Sequence, residues 1–111
     1  MPGRHPTLPA GAGALPGDEQ VKAAAELLKV LANPIRISIV LRLASEPMCV
    51  HEIVDALGIS QPLASQHLRI LRAARLVDGE RRGREIAYRI VDDHVSHIVR
   101  DAITHGNEEH P

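Results

Sequence analysis

The segment Gly58-Ile59-Ser60-Gln61-Pro62 leaves this chain few choices of fold. Residues 50–57 carry apolar side chains at helical spacing, and Gly58 suits the left-handed C-cap that ends such a helix. Ser60 is a good N-cap and Pro62 falls in a first helical turn, so a second helix has to begin almost at once. That helix runs through Leu63, Leu68, Leu71 and Ala74. A helix, a tight turn around a glycine and another helix form the helix-turn-helix arrangement.

The flanking segments fit around it. Residues 1–17 hold four Pro and four Gly among small residues, a composition that cannot offset the entropy of ordering a packed structure, and they read as a flexible tail. Asp18 is the expected N-cap of a first helix with Val21, Ala24, Ala25, Leu28 and Leu31 on its apolar stripe. Asn33-Pro34 ends it and starts the next, because Pro disfavours helix at the residue before it and fits a first turn. Ile35, Ile39, Val40 and Leu43 are the expected buried face of this second helix, and Pro47 stops it. After the helix-turn-helix, Leu76-Val77, Asp78-Gly79, the run Arg81-Arg82-Gly83-Arg84 and residues 85–91 predict a β-hairpin with a basic tip. Ile86, Tyr88 and Ile90 alternate with Ala87 and Arg89 in its second strand. A last helix starts near Asp92 and carries Val95, Ile98, Val99, Ala102 and Ile103 on one face. The expected fold is mostly α with a small β-hairpin wing, a single domain over residues 18–111.

A chain of 111 residues is short for one domain, so much of its apolar surface is expected to be buried against a partner. Tyr88 is the one aromatic residue. A core of Leu, Ile, Val and Ala again favours a dimer sharing apolar helix faces. The formal net charge of -1 hides a strong asymmetry. Residues 61–90 set seven Arg against Asp78, Glu80 and Glu85, a balance of +4, whereas residues 91–111 set Arg100 against five carboxylates, a balance of -4. Two different charged partners follow from that division. A lone Cys49 excludes an intrachain disulfide framework and fits a reducing compartment. No apolar run approaches membrane-span length and the N-terminus lacks a signal-peptide apolar core, so a cytoplasmic protein without membrane contact is expected. Enzyme chemistry is not expected: Ser65 and His67 are two apart on a helix and do not face each other.

Residues 60–71 (SQPLASQHLRIL) have what a DNA recognition helix needs. Gln61, Ser65, Gln66 and His67 are hydrogen-bonding side chains able to reach base edges in a major groove. Arg69 and Arg72 can hold phosphates. A merely solvated polar face would explain this helix alone, but not Arg81, Arg82 and Arg84 concentrated around Gly83 beside it, suited to a minor groove or the DNA backbone.

The last helix carries Asp92, His94, His105 and Glu108. At about 1.5 Å of rise per residue, His94 and His105 lie roughly 16 Å apart, too far to share an ion whose bonds are about 2 Å long. Two copies paired antiparallel through this helix would bring Asp92 and His94 of one chain to His105 and Glu108 of the other, making two equivalent sites. Gly106-Asn107 can end the helix before Glu108, in which case Glu109 or His110 stands in as fourth ligand. His97, Asp101 and His105, at i, i+4 and i+8, form a weaker rival arrangement within one helix.

The chain resembles the ArsR/SmtB family of metal-sensing winged-helix repressors. The resemblance covers about residues 20–108 and rests on LKVLANPIRISIVLRL (28–43), on Ser65-Gln66-His67-Leu68 followed by LRAARLV, and on GRxIxYRI (83–90). The pattern Asp-x-His-x10-His-x2-Glu resembles the family's intersubunit zinc site, which implies Asp92, His94, His105 and Glu108 as ligands. Two imidazoles and two carboxylates suit tetrahedral Zn(II), and Co(II) fits the same set. The resemblance further implies a homodimer that reads an inverted repeat in double-stranded operator DNA when apo and is released by zinc. Cys49-Val50-His51 stands where the family's soft-metal sensors have Cys-x-Cys, but the second position here is His. A thiolate site for arsenite, Pb(II) or Cd(II) is therefore absent or vestigial, and His5 with Cys49 and His51 would make only a poor second zinc site. Two alternatives stay open: a redox- or sulfide-responsive repressor using Cys49, and a metal-independent winged-helix DNA-binding protein.

Overall fold

The computed structural model describes residues 14–108. Within them the order is α1 (Asp18–Leu31), α2 (Pro34–Ser45), β1 (Met48–Cys49), α3 (Val50–Leu57), α4 (Gln61–Ala73), β2 (Val77–Arg82), β3 (Glu85–Ile90) and α5 (Asp93–Gly106). Most of the expected tail, together with His5, Glu109 and His110, lies outside the described residues.

The helix boundaries follow from capping chemistry. The Asn33 side chain accepts from the backbone N–H groups of Ile35 and Arg36 at 2.9 and 3.1 Å, satisfying two donors that α2 cannot. Gly58 closes α3 in the left-handed region, at φ 67°, with its N–H on the Val54 carbonyl. Ser60 Oγ accepts from Leu63 N at 3.3 Å to start α4. For α1 the cap is Gly17 rather than Asp18: Gln20 Oε1 accepts from Gly17 N at 2.9 Å, and Asp18 is the first helical residue. There its negative charge still complements the helix N-terminus. At the end of α4, Leu76 N–H reaches back to the Leu71 carbonyl at 2.9 Å while Arg75 takes φ 62°. This six-to-one closure usually places a glycine where Arg75 stands. The sharp reversal delivers Leu76 and Val77 straight into the core.

The sheet has three antiparallel strands in the order β1-β3-β2. β2 and β3 form the expected hairpin, in register from Val77 opposite Ile90 to Arg82 opposite Glu85. Gly83, at φ 65°, takes the first position of its two-residue turn, as a type II′ turn requires. β1, two residues just after Pro47, was not expected from the sequence; Met48 and Cys49 pair with Tyr88 and Ala87. Its presence makes β3 the middle strand. Ala87 is consequently buried although the expected alternation set it against the apolar positions.

The core gathers Ile39, Val40 and Leu43 of α2, Ile53 of α3, Leu68 and Leu71 of α4, and Val95 and Val99 of α5. Each large side chain fully buried there contributes about 1.5–3 kcal/mol. The outer helices are only half used. α1 turns Leu31 inward and packs Leu27 and Val30 beside it, leaving Val21 and Leu28 more than half exposed. On α5, Val95 and Val99 are buried while Ile98 and Ile103 reach the surface. The stripes read from the sequence are therefore split between the core and an outer face.

Candidate functional site

α4 and the hairpin lie side by side. Ser65, Leu68, Arg69, Arg72 and Ala73 of α4, with Tyr88 of β3, enclose an open cleft of about 420 Å³. Gln61, Gln66, Arg69 and Arg72 are exposed, Ser65 is half-buried, and the hairpin tip presents Arg81, Arg82 and Arg84 to solvent. Arg81 Nη1 donates to the Gly83 carbonyl at 3.4 Å, within the turn itself. Gly79 has a part that sequence reasoning missed. A Cβ there would stand 2.8 Å from Ile86 Cγ2, closer than the two can approach, so the bare backbone is what lets the Ile86 side chain pack against β2; Arg72 Nη1, at 3.4 Å, would be at ordinary contact. In the sequence Tyr88 shows only as a strand residue. Its place in the cleft depends on hairpin register, which the sequence does not spell out.

His67 departs from expectation. It is 6% exposed, not part of the outward polar face. The reason is helical spacing: His67 follows Ala64 by three and precedes Leu68 and Leu71 by one and four, all buried residues. Its Nδ1 lies 3.1 Å from Arg36 Nη1, and Arg36 Nε donates to the Val30 carbonyl at 2.6 Å. Burial and, after it, the neighbouring Arg36 charge push the imidazole below the usual histidine range. A neutral ring with Nδ1 as acceptor is the form that matches a guanidinium donor.

α5 and the residues flanking its two ends hold the four expected metal donors as two separate pairs. Asp92 is the N-cap, its Oδ1 accepting from His94 N at 2.9 Å and lying 3.4 Å from His94 Nδ1. One carboxylate has two oxygens, so capping and ligation are compatible. At the other end α5 stops at Gly106, and a turn from Glu108 N to the His105 carbonyl brings Glu108 Oε1 within 3.6 Å of His105 Nδ1. Side-chain exposure is 89% for His94 and 80% for His105. Among the described residues no three of His, Cys, Asp and Glu converge as a metal-holding group. His97, Asp101 and His105, the single-helix rival, are exposed and spaced one turn apart along α5.

Cys49, His51 and Glu85 meet where α3 starts and the hairpin returns. His51 Nδ1 lies 2.8 Å from Glu85 Oε1, and Glu52 Oε1 accepts from Cys49 N at 2.8 Å. Partial burial, a hydrogen bond to Glu85 and the charges of Glu85 and Glu52 push the thiol upward, against a smaller opposing effect of Arg82. A thiol held protonated is a poor nucleophile.

A helix-turn-helix whose second helix shows a polar, arginine-bearing face, beside a hairpin tipped with three arginines, defines a winged helix-turn-helix DNA-binding protein. Comparison with known proteins gives the family. Residues 33–78 match the bacterial regulatory protein, arsR family. The HTH-type transcriptional repressor SmtB of Mycobacterium tuberculosis is 55% identical over 104 residues, 94% of this chain and 74% of the relative. The HTH-type transcriptional regulator NmtR of the same species is 38% identical over 96 residues, 86% of this chain and 80% of the relative. Among solved structures, the homodimeric winged helix-turn-helix domain of a possible ArsR-family regulator from Mycobacterium bovis superposes with a TM-score of 0.74 at 28% identity, covering 88% of this chain and 95% of that one. The chain belongs to the ArsR/SmtB family, whose members are DNA-binding transcriptional regulators, not enzymes. No helix among the described residues is long and apolar enough to cross a membrane.

Proposed function

We propose that this chain is a zinc-responsive repressor, an apo homodimer that holds an inverted-repeat operator in double-stranded DNA and lets go when Zn(II) is bound between its α5 helices. The observation that carries this reading is the division of donors along α5: Asp92 with His94 at one end, His105 with Glu108 at the other, and neither pair able to satisfy an ion alone. Antiparallel pairing of two α5 helices completes two such sites at once. Two imidazoles and two carboxylates fit tetrahedral Zn(II), and Co(II) would be accepted by the same set. The apolar residues left outside on α1 and α5, Val21, Leu28, Ile98 and Ile103, supply the surface that a second copy would cover.

On DNA, α4 is about 20 Å long and enters a major groove about 12 Å wide, with Gln61, Ser65 and Gln66 at base edges and Arg69 and Arg72 on phosphates. Arg81, Arg82 and Arg84 extend the phosphate contacts along the flank. Closing the four donors on an ion favours one arrangement of the paired subunits and so changes the spacing of the two α4 helices. By linkage, operator DNA must weaken zinc binding by the same factor.

The test is operator binding by the chelator-treated protein, titrated in turn with Zn(II), Co(II), Ni(II) and Cd(II). Release by Zn(II) and Co(II) at lower concentration than by Cd(II) is expected. Binding indifferent to every ion would establish a metal-independent DNA-binding protein, and loss under oxidant alone would return the signal to Cys49.

A further inference from the structure

Arg36 has a place in the fold that neither DNA contact nor metal binding explains. It sits in the first turn of α2, half-buried, and its guanidinium makes two contacts in different directions: Nε to the carbonyl of Val30, in the last turn of α1, and Nη1 to Nδ1 of His67 on α4. α1 itself packs on α2. Between α1 and α4 the apolar contact is incomplete, because a groove of about 570 Å³ opens between Leu27 and Val30 on one side and Ile70, Ala73 and Ala74 on the other. The guanidinium thus supplies a directional polar link between helices whose apolar packing leaves space.

We propose that Arg36 is a positioning residue for DNA reading, fixing α4 to the C-terminal end of α1 through His67, so that operator affinity depends on a contact made inside the domain. A planar guanidinium suits the task because its donors point along fixed directions, so that binding Val30 and His67 together sets both distance and angle. A lysine ammonium cannot span both partners in that way. His67 has to be neutral to accept from Arg36, and its surroundings favour that form. Since α1 also carries exposed Val21 and Leu28, a shift of α1 against a second subunit would reach α4 by this route.

The inference rests on the DNA-binding reading but not on zinc, and the experiment separates them. The probe is a duplex enriched by the wild-type protein from a random-sequence library, with an unselected duplex for comparison, both in the presence of chelator. Arg36→Met and His67→Phe are each expected to lose roughly ten-fold in affinity for the enriched duplex, with a smaller loss on the unselected one. The double variant should be no worse than either single variant, and His67→Gln, which restores an acceptor, should recover most of the loss. In ¹⁵N spectra His67 should show an unprotonated, hydrogen-bonded Nδ1 that changes in Arg36→Lys. Should Arg36→Met fail to fold, Arg36→Lys takes its place in the cycle. Losses that add in the double variant, a folded His67→Phe protein binding as tightly as wild type, or a His67 spectrum unmoved by Arg36→Lys would each overturn the proposal. Failure of the wild type to enrich any duplex would instead defeat the DNA-binding reading, leaving the spectrum to decide the link between the helices.

Discussion

His105→Ala is expected to abolish zinc-driven release from the operator while leaving apo binding intact. The two halves of that expectation have separate causes. His105 is 80% exposed at the end of α5, so shortening it removes little buried surface and should change stability by no more than about 0.5 kcal/mol. Loss of a direct ligand, however, leaves each site with one imidazole. Changes to groups that merely orient metal ligands already cost about 10–100-fold in affinity, and removal of the ligand itself should cost at least that. The check is zinc affinity by chelator competition beside operator binding at fixed zinc. Release by the variant at wild-type zinc concentrations would show that His105 is not a ligand.

The second large effect is expected on DNA, and it divides the basic surface by role. Gln66→Ala should narrow the gap between operator and random DNA, since a good base contact is worth about 1–3 kcal/mol of discrimination. Ser65→Ala should do the same more weakly, its side chain being half-buried. Arg82→Ala should weaken all sequences alike and flatten the salt dependence by about 0.9 in the log–log slope for each phosphate left without its arginine. Affinities for specific and random duplexes across a salt series separate the two classes. Equal losses on both duplexes for Gln66→Ala would mean that α4 grips only the backbone.

Most of the architecture is legible in the sequence because it is written in local signals. Asn33-Pro34, Gly58, Ser60 with Pro62, and Gly83 each act within a few residues, through a cap, a turn or a fixed φ, and each does so at the position its residue type predicts. The features that are not legible depend on contacts between distant segments or on a choice among neighbouring caps. β1 exists only because Met48 and Cys49 find the open edge of β3. The Gln20 side chain decides the cap of α1 in favour of Gly17. His67 sits in a polar string that suggests an outward face, yet its distance from Ala64 and Leu71 places it on the core face, a signal available from spacing alone. Its partner Arg36, 31 residues earlier, carries no such signal. The α5 donors show the same boundary: their order along the helix points to two halves, and the fold of one chain keeps them as two separate pairs.

The most direct test of a site shared between chains is complementation in mixed dimers. One subunit carries Asp92→Ala and His94→Ala, the other His105→Ala and Glu108→Ala, and the heterodimer is isolated by differential tags. In an intersubunit arrangement neither parent homodimer retains a complete site, whereas the heterodimer retains one: His105 and Glu108 of the first subunit with Asp92 and His94 of the second. Tight binding of one zinc per heterodimer and none by either homodimer is the expected result. A heterodimer that binds zinc no better than its parents would contradict the shared site and place the metal within a single chain or nowhere on α5.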